Sequence, residues 1–351
     1  MKSLSLTITD WFRSRFPVDR DSILLSLQEP VPNHLKKWWW CLGGMPAYLF
    51  VVQVVTGIML AFYYVPDPSQ AYESVWRISH EIPFGWWVRS LHKWSANLMI
   101  VTVILHVMRV YFTAAYRKPR ELNWIFGAVL LIVTLVFGFT GYTLVYEQLS
   151  YWGATVATNL AEAVPVIGDF LARFIRGGDV VGASTITRFY ILHIIILPTA
   201  IAIFLVLHIM MVRKHGVTEL HFKDEKPGAE KTFRFFPDHI LTELMIGIGL
   251  LIAISAIAVI FPPELQEKAN PLVTPAHIKP EWYFYFTFRW LKLTGLTMAM
   301  VTLGLAGAIF VFWPLVEPLI NRLFKRDVSI PIGIIAVIGI LALTIWEAIA
   351  Y

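Results

Sequence analysis

Seven stretches of this chain are apolar over lengths that match the thickness of a lipid bilayer. Spanning the hydrocarbon core of a bilayer takes about 20 residues of α-helix. The stretches lie at residues 41–64, 88–112, 123–145, 187–212, 239–262, 297–320 and 330–349. Because a backbone inside lipid must satisfy its own hydrogen bonds, each stretch is expected to be helical. The sequence therefore predicts an all-α integral membrane protein with about seven transmembrane helices.

The charged residues indicate how these helices are oriented. They make up only 15% of the chain, whereas soluble domains carry about 25%. After the N-terminal region, basic residues cluster in three hydrophilic segments, at residues 117–120, 213–234 and 321–326. With seven spans, these segments and the N-terminus fall on one side, which the positive-inside rule assigns to the cytoplasm. The net charge of +5 is thus explained by topology, and no nucleic-acid partner is expected.

The chain is expected to fold as two blocks. The first, residues 1–220, holds four spans, and the second, residues 221–351, holds three. The hydrophilic run Lys214–Pro237 forms the boundary between them. The N-terminal segment Met1–Pro17 has no uninterrupted apolar core, so it is interpreted as an amphipathic surface segment and not as a signal peptide.

Four histidines lie in matched pairs inside the apolar stretches of the first block. His92 and His106 are 14 residues apart, and His193 and His208 are 15 apart. At about 100° per residue, each pair points to one side of its helix, with the two rings roughly 21 Å apart along the axis. Two such helices facing each other would clamp two flat cofactors, and haem with an imidazole above and below the iron is the obvious candidate. Ionisable residues in membrane spans are usually functional.

Glycines repeat the spacing of the histidines. Gly43 and Gly57 are 14 residues apart in span one, as are Gly127 and Gly141 in span three. A glycine lets a flat ring approach a helix backbone, although small residues also serve helix packing in membranes. Pro198 lies between the histidines of span four, where a bend is expected to absorb the extra residue of the 15-residue interval.

Several longer motifs resemble cytochrome b of the quinol–cytochrome c reductases. The resemblance covers nearly the whole chain and is closest to the cytochrome b6/subunit IV branch, with the two parts fused. The motifs are Trp40-Cys41-Leu42-Gly43-Gly44, Val88-Arg89-Ser90-Leu91-His92-Lys93-Trp94-Ser95-Ala96, His106-Val107-Met108-Arg109-Val110-Tyr111, Lys118-Pro119-Arg120-Glu121-Leu122, Gly138-Phe139-Thr140-Gly141-Tyr142, Ser184-Thr185-Ile186-Thr187-Arg188-Phe189-Tyr190 and Pro280-Glu281-Trp282-Tyr283. One departure is Leu144-Val145-Tyr146, where the family usually has Leu-Pro-Trp.

The resemblance implies two b-type haems, each with two histidine ligands to its iron. His92 and His193 would ligate the haem near the outer face, and His106 and His208 the haem near the cytoplasmic face. Arg89 would face a haem propionate.

The resemblance also implies a role for the single cysteine of the chain. A lone helical cysteine is more often an inert small hydrophobe. In the b6 branch, however, a cysteine in this motif context forms one thioether to an extra haem on the cytoplasmic side. Cys41 is therefore expected to carry a covalently attached third haem, whose propionates Arg213 could neutralise.

The tetrad that begins at Pro280 resembles the quinol-oxidation motif of the family. Glu281 would accept a proton from the quinol, and Tyr283 would help to position the head group. Tyr142, Gly141 and Ile278 would line the same pocket. A simple interfacial loop with a solvated acid is the alternative interpretation of this tetrad.

The function implied by the resemblance is quinol oxidation at the outer face, coupled to proton translocation. One electron would leave to a Rieske iron–sulfur protein, and the other would cross through the two b haems to a quinone near the cytoplasmic side. One cysteine cannot hold an iron–sulfur cluster, so a Rieske protein and a c-type cytochrome subunit are expected partners. A homodimer of complexes in a bacterial cytoplasmic membrane is expected.

Two other functions remain open at the level of sequence. One is a dihaem membrane anchor that passes electrons linearly between quinone and another redox subunit. The other is a transporter without redox cofactors. The tetrad at Pro280 argues against the first, and four histidines in register argue against the second.

Overall fold

A computed structural model describes residues 10–11, 14–15, 30–37, 40–220, 232–276 and 278–350. The expected surface segment Met1–Pro17 lies almost entirely outside these residues. The helices are α1 (Gly44–Ala61), α2 (Ala71–His80), α3 (Gly85–Phe112), α4 (Glu121–Thr143), α5 (Gln148–Glu162), α6 (Gly168–Arg176), α7 (Ala183–Ile191), α8 (Leu197–His215), α9 (Ile240–Ile260), α10 (Tyr285–Thr294), α11 (Leu296–Val311), α12 (Trp313–Phe324) and α13 (Ser329–Ile349). Two short strands, β1 (Val31–Pro32) and β2 (Thr232–Phe233), pair antiparallel.

Six helical segments in the described part of the chain are long and apolar enough to cross a membrane. They are α1, α3, α4, the continuous segment Ala183–His215, the segment Phe235–Ile260 and α13. The prediction of an all-α membrane protein is confirmed.

The predicted span 297–320 is not one straight helix. It consists of α11 and α12, which are bent by 92° at Phe312; counted together they bring the number of spans to seven. Pro314 lies in the first turn of α12. A proline has no N–H to continue the preceding helix but fits the first turn of a new one. The apolar composition indicated the length of this stretch and not the bend.

The core of the first block is a bundle of α1, α3, α4 and α8, onto which α9 of the second block packs. Apolar side chains from four of these helices form one buried cluster, made of Leu49, Phe50, Leu91, Met99, Ile201, Ile254 and Ala258. Ser90 Oγ donates a hydrogen bond to the carbonyl oxygen of Ala258 at 2.8 Å. The two blocks therefore share one core, and their division at residues 220 and 221 stays a prediction.

Basic loops of the two blocks meet on one face of the molecule. Arg117 donates from Nε to Glu317 at 2.9 Å and from Nη2 to Asp327 at 2.5 Å. Hydrogen bonds from Ser329 and from Arg117 hold the pKa of the Asp327 carboxyl well below its usual range. Arg120 donates to the carbonyl oxygen of His215 at 3.1 Å. The described parts of the three basic segments thus lie on the same side, as the predicted topology requires.

On the opposite face, an irregular loop of the second block docks against the first block. Gln148 donates its backbone N–H to the backbone carbonyl of Glu267 at 2.9 Å, and Ala269 donates its own to the backbone carbonyl of Tyr146 at 3.1 Å. The Glu147 carboxylate accepts the N–H of Gln266 at 2.9 Å. Tyr146, in the segment that departs from the family pattern, has a φ of 58°. These bonds place the outer loop over the end of α4.

Candidate functional site

The outer histidine pair faces across the bundle between α3 and the start of span four. The ring centroids of His92 and His193 are 6.3 Å apart, with an angle of 69° between the rings. Thr56 Oγ1 lies 2.8 Å from His92 Nδ1, and Thr140 Oγ1 lies 3.0 Å from His193 Nδ1. Both threonines are buried.

The threonine bonds determine which ring nitrogen of these histidines is available. Thr56 donates its hydroxyl proton to the carbonyl of Val52 at 2.7 Å, so its oxygen accepts from Nδ1–H of His92. The Nε2 atom is then unprotonated and has a free lone pair. Outer-shell bonds of this kind orient a metal-binding histidine. Sequence reasoning missed these threonines, although each directly precedes one of the predicted glycines.

The inner histidine pair has nearly the same separation. The ring centroids of His106 and His208 are 6.4 Å apart, at an angle of 79°. His208 Nδ1 lies 3.1 Å from the carbonyl oxygen of Asn123. His106 Nδ1 has no hydrogen-bond partner among the described residues.

A π-helical turn accommodates the 15-residue interval of span four. Residues Leu192–Ile196 form this turn between α7 and α8, and it contains His193. A π turn inserts one residue into the helix, so His193 and His208 face the same side as a 14-residue pair does. The extra residue lies in this turn and not at Pro198, which follows in the first turn of α8. Because proline cannot donate a backbone hydrogen bond, the regular bonding pattern is interrupted here.

The distances between the rings fit one metal ion per pair. An imidazole nitrogen binds a transition metal at about 2.0–2.1 Å. The centre of an imidazole ring lies about 1.1 Å from the nitrogen that binds the metal, on the side away from the metal. Two imidazoles bound to one ion from opposite sides therefore have ring centres roughly 6.3 Å apart. The observed separations are 6.3 and 6.4 Å. The separation within each pair is therefore compatible with one metal ion held between the two imidazoles.

Each predicted glycine contacts one of these four rings. A Cβ atom on Gly43 would lie 3.2 Å from Cε1 of His106, and one on Gly57 would lie 3.3 Å from Cε1 of His92. A Cβ atom on Gly127 would lie 3.2 Å from Cε1 of His208, and one on Gly141 would lie 2.7 Å from Cε1 of His193. The glycines leave room for the imidazole rings at these positions.

The two predicted arginines lie at opposite ends of the bundle. Arg89, three residues before His92, donates from Nη1 to the carbonyl of Pro263 at 2.8 Å. Arg213 is buried, with its guanidinium carbon 4.0 Å from the ring centroid of Phe235.

Cys41 is buried at the start of span one beside two ionisable residues that sequence reasoning missed. The thiol, the imidazole of His239 and the carboxylate of Glu243 have ligand atoms within 4.8 Å of one another. The pair His239 and Glu243 is four residues apart at the start of an apolar helix, which is the signal that sequence reasoning could have used.

A cavity of about 690 Å³ lies at the outer end of α4, beneath the docked loop. Its volume is in the range of pockets for organic cofactors. Most of its wall is apolar. Of the three residues that the resemblance placed in one pocket, Tyr142 and Ile278 are part of this wall, whereas Gly141 is not among its lining residues. The remaining wall is formed by Ile132, Leu135, Val136, Phe139, Trp152, Gly153, Val156, Ala157, Leu160, Thr274, Pro275, Ala276, Lys279, Pro280, Phe284, Thr287, Phe288, Leu291, Lys292 and Leu303.

Glu281 and Tyr283 adjoin this cavity but are not part of its described wall. The carboxylate of Glu281 lies 3.5 Å from Lys93 Nζ on α3. Tyr283 is buried, and burial and the charge of Glu281 raise the pKa of its hydroxyl well above the usual range. Trp282, between them, donates to Asn97 Oδ1 at 2.6 Å. The tetrad thus fastens the loop to α3, with the carboxylate turned toward Lys93.

Two family models match this chain, one in each block. The model described as cytochrome b/b6/petB matches residues 26–216, and the model described as cytochrome b(C-terminal)/b6/petD matches residues 268–348. These two ranges contain the paired histidines and the tetrad at Pro280, respectively.

Individual relatives agree with the family models. The chain is 38% identical over 345 residues to the cytochrome bc complex cytochrome b subunit of Chlorobaculum thiosulfatiphilum, covering 96% of this chain and 78% of that one. It is 42% identical over 214 residues to cytochrome b6 of Prochlorococcus marinus strain AS9601, covering 61% of this chain and 97% of that one. A solved structure titled hyperthermophilic respiratory Complex III matches with a TM-score of 0.79 and 27% identity, covering 92% of this chain and 86% of that one.

Replacement of Gly141 by alanine is expected to disturb the outer histidine pair selectively. The new Cβ would lie 2.7 Å from His193 Cε1, so the ring must move. We expect loss of the haem signal of the outer level, with that of the inner level retained, in a reduced-minus-oxidised optical spectrum. Gly304→Ala is the matched control, because nothing lies within 4 Å of a Cβ there. An unchanged spectrum of Gly141→Ala would contradict the assignment.

Proposed function

This chain belongs to the cytochrome b/b6 family, with cytochrome b6-like and subunit IV-like parts in one polypeptide, and we propose that it is the quinol-oxidising subunit of a cytochrome bc complex. The observation that carries the proposal is the distance within each histidine pair, 6.3 Å for His92 and His193 and 6.4 Å for His106 and His208, at which both imidazoles of a pair could bind one iron. The chain is a multi-pass membrane protein of electron transport.

The four histidines are proposed as the ligands of two b-type haems. His92 and His193 would hold the outer haem, and His106 and His208 the inner one. Bound there, the two groups supply one-electron transfer across the membrane. The protein's contribution is to orient the two outer rings through Thr56 and Thr140 and to leave space for all four rings at the glycines. Arg89 is proposed to face a propionate of the outer haem.

Quinol is proposed to bind in the cavity at the outer end of α4. The apolar wall suits a hydrocarbon ring, and Tyr142 offers a hydroxyl to orient it. Oxidation of a quinol releases two electrons and two protons. The Glu281 carboxylate, next to Pro280 of the cavity wall, would accept one proton. Tyr283 would support the loop that carries Glu281, since it is buried beneath it.

The route of electron exit and the partners are proposed by analogy with the family. One electron would pass to a Rieske iron–sulfur protein on the outer loops, and the other to a quinone near the cytoplasmic side. A c-type cytochrome subunit and a second copy of the complex complete the proposed assembly, in a bacterial cytoplasmic membrane. Net proton translocation results from release outside and uptake inside. The basic loops on one face support this orientation.

A third haem, attached through Cys41, is proposed for the cytoplasmic side. The cysteine is a free thiol two residues before Gly43, which contacts His106 of the inner level. The nearby cation Arg213 would neutralise propionates, and the Nδ1 atom of His239 has no partner among the described residues. These side chains support the proposal because they offer a thiol for attachment and polar neighbours for the group.

Two other functions have less support. A dihaem anchor that passes electrons linearly needs no outer cavity, and this chain has one next to the tetrad at Pro280. A transporter without cofactors does not need histidine rings at metal-spanning separations.

The substitution Glu281→Gln tests quinol oxidation directly. The amide keeps the size of the side chain but cannot accept a proton at neutral pH. We expect the rate of b-haem reduction by quinol to fall by about 10²-fold, with unaltered haem spectra. Glu264→Gln, at an exposed acid of the same loop, is the matched control and should retain the wild-type rate. Equal rates for both variants would remove Glu281 from the mechanism.

The proposal for Cys41 predicts a haem that survives denaturation. A thioether withstands detergent and heat, whereas histidine ligation does not. A denaturing gel stained for haem peroxidase should show a band at about the chain mass of 40.1 kDa. Cys41→Ser should abolish this band and leave both b haems intact. An unstained wild-type band, or an intact mass equal to that of the bare chain, would contradict the proposal.

A further inference from the structure

A fully buried carboxylate in the last membrane helix is paired with two cations of α10. Glu347 is 0% exposed. Lys292 Nζ donates to its Oε1 at 2.6 Å, and Arg289 Nε lies 3.0 Å from its Oε2 in an ion pair that lacks hydrogen-bond geometry. Ionisable groups inside membrane segments are functional candidates by default.

In the cluster formed by Glu347, Arg289 and Lys292, the cation with an exposed side chain is Lys292. Two cations face one carboxylate, so the cluster carries one excess positive charge. The side chain of Arg289 is 12% exposed and stacks over Trp346, at 4.6 Å from the ring centroid. The side chain of Lys292 is 43% exposed and is part of the cavity wall.

Lys279, the other lysine of the cavity wall, is bonded to backbone carbonyls and not to a carboxylate. Lys279 Nζ donates to two backbone carbonyls at the end of α13, those of Ala348 and Ala350. Lys292 has three N–H donors and makes one hydrogen bond among the described residues. Its ammonium also lies 4.3 Å from the ring centroid of Phe288, another residue of the cavity wall.

We propose that Lys292 is the cationic anchor of the outer cavity, and that it donates a hydrogen bond to one ring oxygen of the bound hydroquinone. Glu347 is a positioning residue, since it fixes the ammonium and does not touch the cavity itself. This inference rests on the proposed quinol oxidation and adds a cation of the cavity wall that holds the head group. Anchoring by a fixed ammonium involves no proton transfer to or from Lys292.

The test compares KM and kcat for a short-chain quinol in the purified complex. Lys292→Gln removes the charge, and we expect KM to rise about tenfold because a hydrogen bond from a charged donor is lost. The value of kcat should stay within about threefold, as for an interaction made equally in the ground and transition states. Lys292→Arg keeps the cation and should keep KM near wild type.

A double-variant cycle tests the positioning role of Glu347. Glu347→Gln should raise KM in the same direction, and the double variant should raise it no further than Lys292→Gln alone. Lys268→Gln is the control, because this lysine pairs with Glu73 on the outer surface away from the cavity. The b-haem spectrum of each variant checks that it is folded.

The outcomes for the Lys292 variants and for the double-variant cycle each support or overturn one part of the proposal. Equal KM values for Lys292→Gln and Lys292→Arg, whether raised or unchanged, would overturn the anchor. Additive effects in the cycle would overturn the positioning role of Glu347. These failures leave quinol oxidation by the wild type intact, whereas a wild-type complex that quinol cannot reduce would overturn the proposed function as well.

Discussion

The structure depends on holding two pairs of imidazole rings at a fixed separation inside an apolar bundle. Centroid distances of 6.3 and 6.4 Å are maintained although the two histidines of each pair come from different helices. Three devices contribute: glycines that leave room for the rings, threonines that bind Nδ1, and a π-helical turn that restores the register of span four.

Much of this arrangement could be predicted from the residues themselves. Apolar length indicated the membrane helices, and the 14-residue intervals indicated two levels of histidines and glycines. The π-helical turn at Leu192–Ile196 was not predictable, because its hydrogen bonds follow from Pro198 and from packing together. The bend at Phe312 was not predicted for a related reason. Composition indicates how long an apolar stretch is, whereas the direction of a helix axis depends on where the backbone hydrogen bonds of the helix are interrupted.

The outer site illustrates a second limit of sequence reasoning. A motif identifies Glu281 but does not determine which way its side chain turns, and here the carboxylate faces Lys93. Cys41 stood out as the single cysteine, but its neighbours His239 and Glu243 are about 200 residues away in sequence and meet it only through helix packing. Lys292 and Glu347 belong to the same class, since their pairing needs α10 and α13 side by side.

The central claim is that each histidine pair binds one b-type haem. The most direct measurement is the content of non-covalently bound haem per chain, by pyridine haemochrome analysis after acid extraction, in the wild type, His106→Ala and His92→Ala. The account predicts two extractable haems in the wild type and one in each variant, with different absorption bands lost in the two variants. Two haems retained in either variant, or none in the wild type, would contradict it.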